Sequence, residues 1–135
     1  ASRARIHTQF ELRSPVCCDA EQIQKVALNL LLNALEAGGE GKLVELRVTA
    51  RSGWAVLSVA DQGCGMSQDF IQRSLFRPFQ TTKKNGMGIG LFHSKMILEA
   101  HGGRFEVESQ EGRGSVFRIL LPMSGGPIEA RIADR

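Results

Sequence analysis

Polar and apolar residues alternate from Arg5 to Leu12. Ile6, Thr8, Phe10 and Leu12 fall on one side and Arg5, His7, Gln9 and Glu11 on the other, which predicts a half-buried strand ended by Pro15. The period then lengthens. Ile23, Val26, Ala27, Leu30, Leu31 and Ala34 recur at helical spacing. Asp19 is the expected N-cap, Gln22 completes a capping box, and Gly38-Gly39 is the expected stop. Two strands follow, about Leu43–Ala50 and Trp54–Ala60, joined by a tight hairpin turn at Ser52-Gly53. After Asp61 the chain turns glycine-rich and irregular. A short helix is expected over Gln68–Ser74, and Phe76–Met87 reads as a mobile loop. A second long helix is predicted from about Gly88 to His101, closed by Gly102-Gly103. Two last strands, near Arg104–Ser109 and Ser115–Leu121, flank a glycine turn, and the pattern is lost from Met123 onward. No internal repeat is visible.

Length and composition narrow the picture only a little. The chain has 135 residues, enough for one core, and 42% of them are apolar, as in ordinary globular domains. No apolar run approaches the ~20 residues that span a bilayer, and no signal peptide is recognisable. The chain opens directly in a strand, as expected of a piece of a longer protein whose membrane anchor, if any, lies elsewhere. Its net charge of +3 comes from scattered arginines and lysines that form no nucleic-acid footprint. The mild excess suits an anionic ligand such as a nucleotide without selecting it. Cys17, Cys18 and Cys64 have no metal-ligand spacing, and their odd number favours a reducing cytoplasm.

Three constellations bear on chemistry. Asn29 and Asn33 are four apart on one helical face, flanking the apolar stripe rather than joining it. A side-chain amide oxygen suits a hard cation such as Mg²⁺. Taken alone, the pair is better explained by amides bonding nearby backbone. Asp61, Gln62, Gly63, Cys64, Gly65 and Met66 follow a strand. The glycines there permit a sharp turn and the close approach of a flat ligand, and the carboxylate suits an exocyclic amine such as that of adenine. A calcium loop would cluster more carboxylates, since only Asp69 is near. Gly86, Met87, Gly88, Ile89, Gly90 and Leu91 open a helix, where backbone N–H groups and the helix dipole favour phosphate. The spacing fits neither a dinucleotide fingerprint nor a P-loop, and alone the pattern is weak.

In their order, with Phe76, Arg77, Pro78 and Phe79, then Thr81, Thr82 and Lys83 between, and Gly112, Arg113, Gly114 and Ser115 after, these motifs are far more specific. The chain resembles the GHKL superfamily of ATP-binding domains, and within it the catalytic domain of bacterial sensor histidine kinases. Asn29–Ala37 is similar to the asparagine box, Asp61–Met66 and Gly86–Leu91 to two glycine boxes, Phe76–Phe79 to the phenylalanine box, and Gly112–Phe117 to the final glycine turn. The likeness covers about Arg5 to Pro122. The lettering at Thr81–Lys83 and Asn33–Ala37 resembles the nitrogen-regulation type.

The resemblance implies an α/β fold: a two-layer sandwich with a mixed β-sheet and helices on one face, the Bergerat ATP-binding fold. It implies a catalytic domain over residues 1–122 and a tail or linker over 123–135. It implies ATP and Mg²⁺ as cofactors, with Asn29, Asn33 and Lys83 as catalytic residues. Asn33 holds the metal, Asp61 receives the adenine amine, and Lys83 neutralises charge at the γ-phosphate. Gly63, Gly65, Met66, Thr82, Gly86, Gly88, Ile89, Gly90, Leu91 and Ser115 complete the nucleotide site. Where ATP-hydrolysing relatives carry a glutamate that activates water, this chain has Asn29, which is no general base. The acceptor is then a histidine on a helical hairpin domain of the same parent, and a response regulator is an indirect partner. None of His7, His93 and His101 lies in a phosphoacceptor context. His101 reads as a cation at a helix C-terminus. A cytoplasmic location is expected, with no nucleic acid and no membrane contact by this domain. Two departures stand out. Glu36 occupies a position that is often basic in the family, and Arg77 one that is often acidic. Cys64 reads as a small filler. A serine kinase of the anti-sigma-factor type shares these boxes, and a non-catalytic nucleotide-dependent module is the remaining alternative.

Overall fold

A computed structural model describes residues 5–10, 18–38, 42–73, 75–76 and 87–123. Its elements run β1 (Arg5–Phe10), α1 (Ala20–Gly38), β2 (Leu43–Arg51), β3 (Trp54–Asp61), α2 (Gln68–Arg73), α3 (Met87–Ala100), β4 (Arg104–Gln110) and β5 (Gly114–Pro122). These match the expected elements to within a residue or two. Residues 11–17 and 77–86 lie outside the described residues, and with them the end of the first strand and most of the loop expected over Phe76–Met87. The tail expected from Met123 onward lies outside them too, beyond Met123 itself.

Local chemistry explains the boundaries. Asp19 Oδ1 accepts from the Gln22 N–H at 3.2 Å, so α1 begins on the expected cap. Ser52 and Gly53 both have positive φ, 51° and 85°, which is the type I′ geometry that matches strand twist. Ser67 Oγ caps α2 through the Phe70 N–H at 3.1 Å. Helix α3 ends in a Schellman arrangement: Gly103 N–H bonds Leu98 O at 2.8 Å, Gly102 N–H bonds Glu99 O at 3.0 Å, and Gly102 has φ of 73°.

The sheet order is β1-β2-β3-β5-β4. β1 pairs parallel with β2 and the other pairs are antiparallel, so the sheet is mixed. Alternation gives each face its character. Val44, Val59, Phe117 and Ile119 pack with Val26, Leu30 and Ala34 of α1 and with Leu91 and Leu98 of α3 in one core. Burying a side chain such as Leu30 or Leu98 contributes about 2 kcal/mol. The other face carries Glu45, Arg47, Thr49, Ser58, Arg118, Glu106 and Glu108 in register. There Arg51 Nη2 reaches Glu106 Oε2 at 3.0 Å, from β2 to β4, passing over the Val56–Leu120 pair. Both apolar residues are buried, although they sit on the face that no helix among the described residues covers. The result is the expected two-layer α/β sandwich with helices on one face.

Candidate functional site

Asp61 is the last residue of β3 and pairs in register with Ser115 of β5. Both side chains fall on the helix side of the sheet, and both are nearly buried, 9% and 6% exposed. Asp61 Oδ1 accepts from the Gly63 N–H at 2.8 Å, which turns the chain tightly after the strand. A depression of about 300 Å³ is lined by Asp61, Ser109, Arg113 and Ser115, among others. A buried carboxylate at its edge is an acceptor that suits an amine.

The two glycines that follow Asp61 have a packing task. A Cβ on Gly63 would lie 2.4 Å from Ala37 O at the end of α1, and one on Gly65 only 2.1 Å from Gln110 O. Protein backbone approaches closely at both glycines. Gly114, with φ of 116°, would place a Cβ 2.1 Å from Asp61 O, and the Gly112 N–H donates to Cys64 O at 2.7 Å. The Asp61–Met66 loop and the β4–β5 hairpin therefore interlock backbone to backbone. Ser109 fastens them further: its Oγ accepts from the Met66 N–H at 2.7 Å and lies 2.7 Å from Ser115 Oγ. The Met66 side chain packs half-buried against the core.

Asn29 faces the second long helix. Asn29 Nδ2 donates to Ser94 Oγ of α3 at 3.3 Å, and Ser94 is 1% exposed. Asn33 corrects one expectation. It does not flank the apolar stripe but joins it: it is 7% exposed and stands with Val26, Leu30 and Ala34 as the buried residues of α1. Packing of α3 beside α1 widens the buried stripe to include this position. Among the described residues no three His, Cys, Asp or Glu side chains gather as a metal site. An oxygen-preferring cation would have to rely on amide oxygen, phosphate and water.

The glycine motif opens α3 as expected. Gly88, Ile89 and Gly90 lie in its first turn, and the Leu91 side chain is a core residue, 4% exposed, that anchors the helix. Thr82, Lys83 and Gly86 lie outside the described residues, as do Arg77 and Cys17. Glu36 is exposed on α1, and Cys64 is exposed and therefore fills no core space. His101 is not the expected helix-end cation. Its Nε2 accepts the Asp19 N–H at 3.0 Å while Nδ1 faces Ile97 O at 2.8 Å, which requires a neutral ring with the proton on Nδ1. It ties the end of α3 to the cap of α1. Sequence reasoning missed Ser94 and Ser109. Strand alternation from Phe105 and Val107 was the available signal for Ser109, which it places on the helix side opposite Ser115.

This arrangement of a two-layer mixed sheet, a capped asparagine helix beside a glycine-opened helix, and a carboxylate at a strand end defines a class. The chain matches the model of the histidine kinase-, DNA gyrase B-, and HSP90-like ATPases over residues 18–125, and it belongs to that family. As an ATPase domain it binds ATP. It is of the histidine-kinase type. Its fold is similar to the catalytic domain of the histidine kinase ThkA in a nucleotide-free form, with TM-score 0.79 and 30% identity over 89% of this chain and 79% of that one. Full-length ShkA in complex with AMPPNP gives TM-score 0.78 and 27% identity over 90% of this chain and 26% of that one. The chain is 41% identical to sporulation kinase E of Bacillus subtilis (strain 168), over 97% of this chain and 18% of that protein. It is 46% identical to the sensor protein FixL of Bradyrhizobium diazoefficiens, over 79% of this chain and 22% of that protein. It thus spans about a fifth of the length of these curated relatives. No helix among the described residues is long and apolar enough to cross a membrane.

Proposed function

We propose that this domain binds Mg-ATP and donates the γ-phosphoryl group to a histidine on a separate dimerisation and phosphoacceptor domain of the same parent, within a two-component system. The observation that carries the reading is Asn29. It occupies the α1 face tied to α3 at Ser94, and it is an amide where a water-activating carboxylate would be needed for hydrolysis. The likeness to named sensor kinases favours this over a serine kinase of the anti-sigma-factor type or a non-catalytic module.

The residues fit Mg²⁺. Asn33 offers a buried amide oxygen at the helix pair, and the lack of a carboxylate cluster among the described residues suits an ion that keeps its waters and phosphates. Asn33 is the proposed metal holder. Bound there, Mg²⁺ would neutralise charge on the phosphates. Asp61, with Ser115 beside it, accepts the adenine amine. Backbone N–H groups at Gly86, Gly88 and Gly90 cradle phosphate, with Thr82 alongside, and Lys83 meets the developing charge. Such a site does little covalent chemistry itself; it positions and stabilises. We place the catalytic domain at residues 1–122 and a tail at 123–135, in the cytoplasm, with a response regulator downstream and no nucleic acid as partner. The lettering of Asn33–Ala37 supports a nitrogen-regulation type.

The test is incubation with γ-labelled ATP. The domain alone should stay unlabelled, and adding a phosphoacceptor hairpin carrying its histidine should give acid-labile phosphate on the hairpin. Acid-stable phosphate, or acid-labile label on the isolated domain, would refute the proposal.

A further inference from the structure

Ser109 sits at the centre of the interlock, and counting protons around it fixes a direction. Its Oγ accepts the Met66 N–H at 2.7 Å and contacts Gly114 O at 3.1 Å and Ser115 Oγ at 2.7 Å. A carbonyl only accepts, and a serine has one proton to give. The assignment that uses every contact sends the Ser109 proton to Gly114 O. Ser115 must then spend its own proton on Ser109 Oγ. The hydroxyl of Ser115 is left with lone pairs alone to offer any ligand. Its register neighbour is Asp61, whose carboxylate also only accepts, and the three residues line the same depression. Asp61 and Ser115 therefore set two side-chain acceptors next to each other, while the donors lining the depression, Arg113 and Gln110, belong to the hairpin.

We infer that Ser109 is a positioning residue that sets base selection: by holding the Ser115 hydroxyl as an acceptor, it makes the site favour a purine with an exocyclic amine over one with an oxo group at that position. This rests on reading Asp61 and Ser115 as the base-binding end. An amine supplies the hydrogens that the two oxygens need. A carbonyl set against Asp61 and Ser115 would face two acceptors and receive no proton from either, and sites built to hydrogen-bond one group reject its opposite strongly. In Ser109→Ala the Ser115 proton is released. That hydroxyl can rotate and donate to an oxo group.

Calorimetric titration of the purified chain with ADP and with GDP tests this. The native chain should prefer ADP. Ser109→Ala should shrink the ADP-over-GDP preference by about tenfold, in part by strengthening GDP binding. Ser109→Thr keeps a hydroxyl and should restore the preference. Because Ser109→Ala also removes an acceptor from the Met66 N–H, Ser115→Ala serves as a second probe that leaves that bond in place. Adding Ser109→Ala to Ser115→Ala should not change the preference further, because one residue acts through the other. Equal weakening of both nucleotides in Ser109→Ala, an unchanged ratio, or additive effects in the double variant would overturn the role of Ser109. A native chain without preference, or unimpaired ADP binding in Asp61→Asn, would instead remove the base from Asp61 and the inference with it.

Discussion

Replacing the Asp61 carboxylate by an amide isolates its charge from its place in the turn. An asparagine there keeps an oxygen for the Gly63 N–H, now at 2.8 Å, so the loop should hold its shape. The nucleotide loses an acceptor-only partner and meets an amide that can also donate. ATP affinity should fall about 10–100-fold while the melting temperature barely moves, as titration and calorimetry on one preparation would read. The hairpin glycines make a second contrast. Gly112, with φ of 81°, has nothing within 4 Å of a Cβ, whereas Gly114, with φ of 116°, would meet Asp61 O. Gly112→Ala should cost only the left-handed backbone, about 1 kcal/mol. Gly114→Ala adds a backbone clash and should cost about 3 kcal/mol in denaturant unfolding. Equal costs would show that the interlock is not tight.

At the scale of elements, hydrogen bonds between described residues tie the two long helices together, Asn29 to Ser94 and Asp19 to His101 among them. The cap itself is separable. Asp19→Ala removes the carboxylate that accepts the Gln22 N–H but leaves the backbone N–H for His101, so it should destabilise by about 1 kcal/mol without loosening the helix pair. Thermal unfolding of Asp19→Ala, His101→Ala and their combination would read this as additive losses. The elements themselves were legible, because each rests on local chemistry: a cap at Asp19, the I′ turn at Ser52-Gly53, and the Gly102-Gly103 stop. The burial of Asn33 was not legible. Helical spacing marks the stripe of one helix, and only the second helix packed alongside decides how wide that stripe becomes. The Arg51–Glu106 pair was hidden for a like reason, since the strand order that lets it cross Val56 and Leu120 is not written in either strand.

For the whole molecule, the site is assembled from segments far apart in sequence that the sheet brings to one end. The order of motifs was enough to read the family, since that order is itself a string. Their contacts were not. Met66 meets Ser109 across 43 residues, and Gly63 and Gly65 each admit a backbone segment that lies far away in sequence. On the proposed function, Asn29 decides the fate of the phosphoryl group. The most direct measurement follows γ-labelled phosphate in one reaction containing the domain, Mg-ATP and an acceptor hairpin. Label should accumulate as acid-labile phosphate on the hairpin while inorganic phosphate release stays near the rate without protein. Steady release of inorganic phosphate, abolished by Asn33→Ala, with the hairpin left unlabelled, would contradict the account.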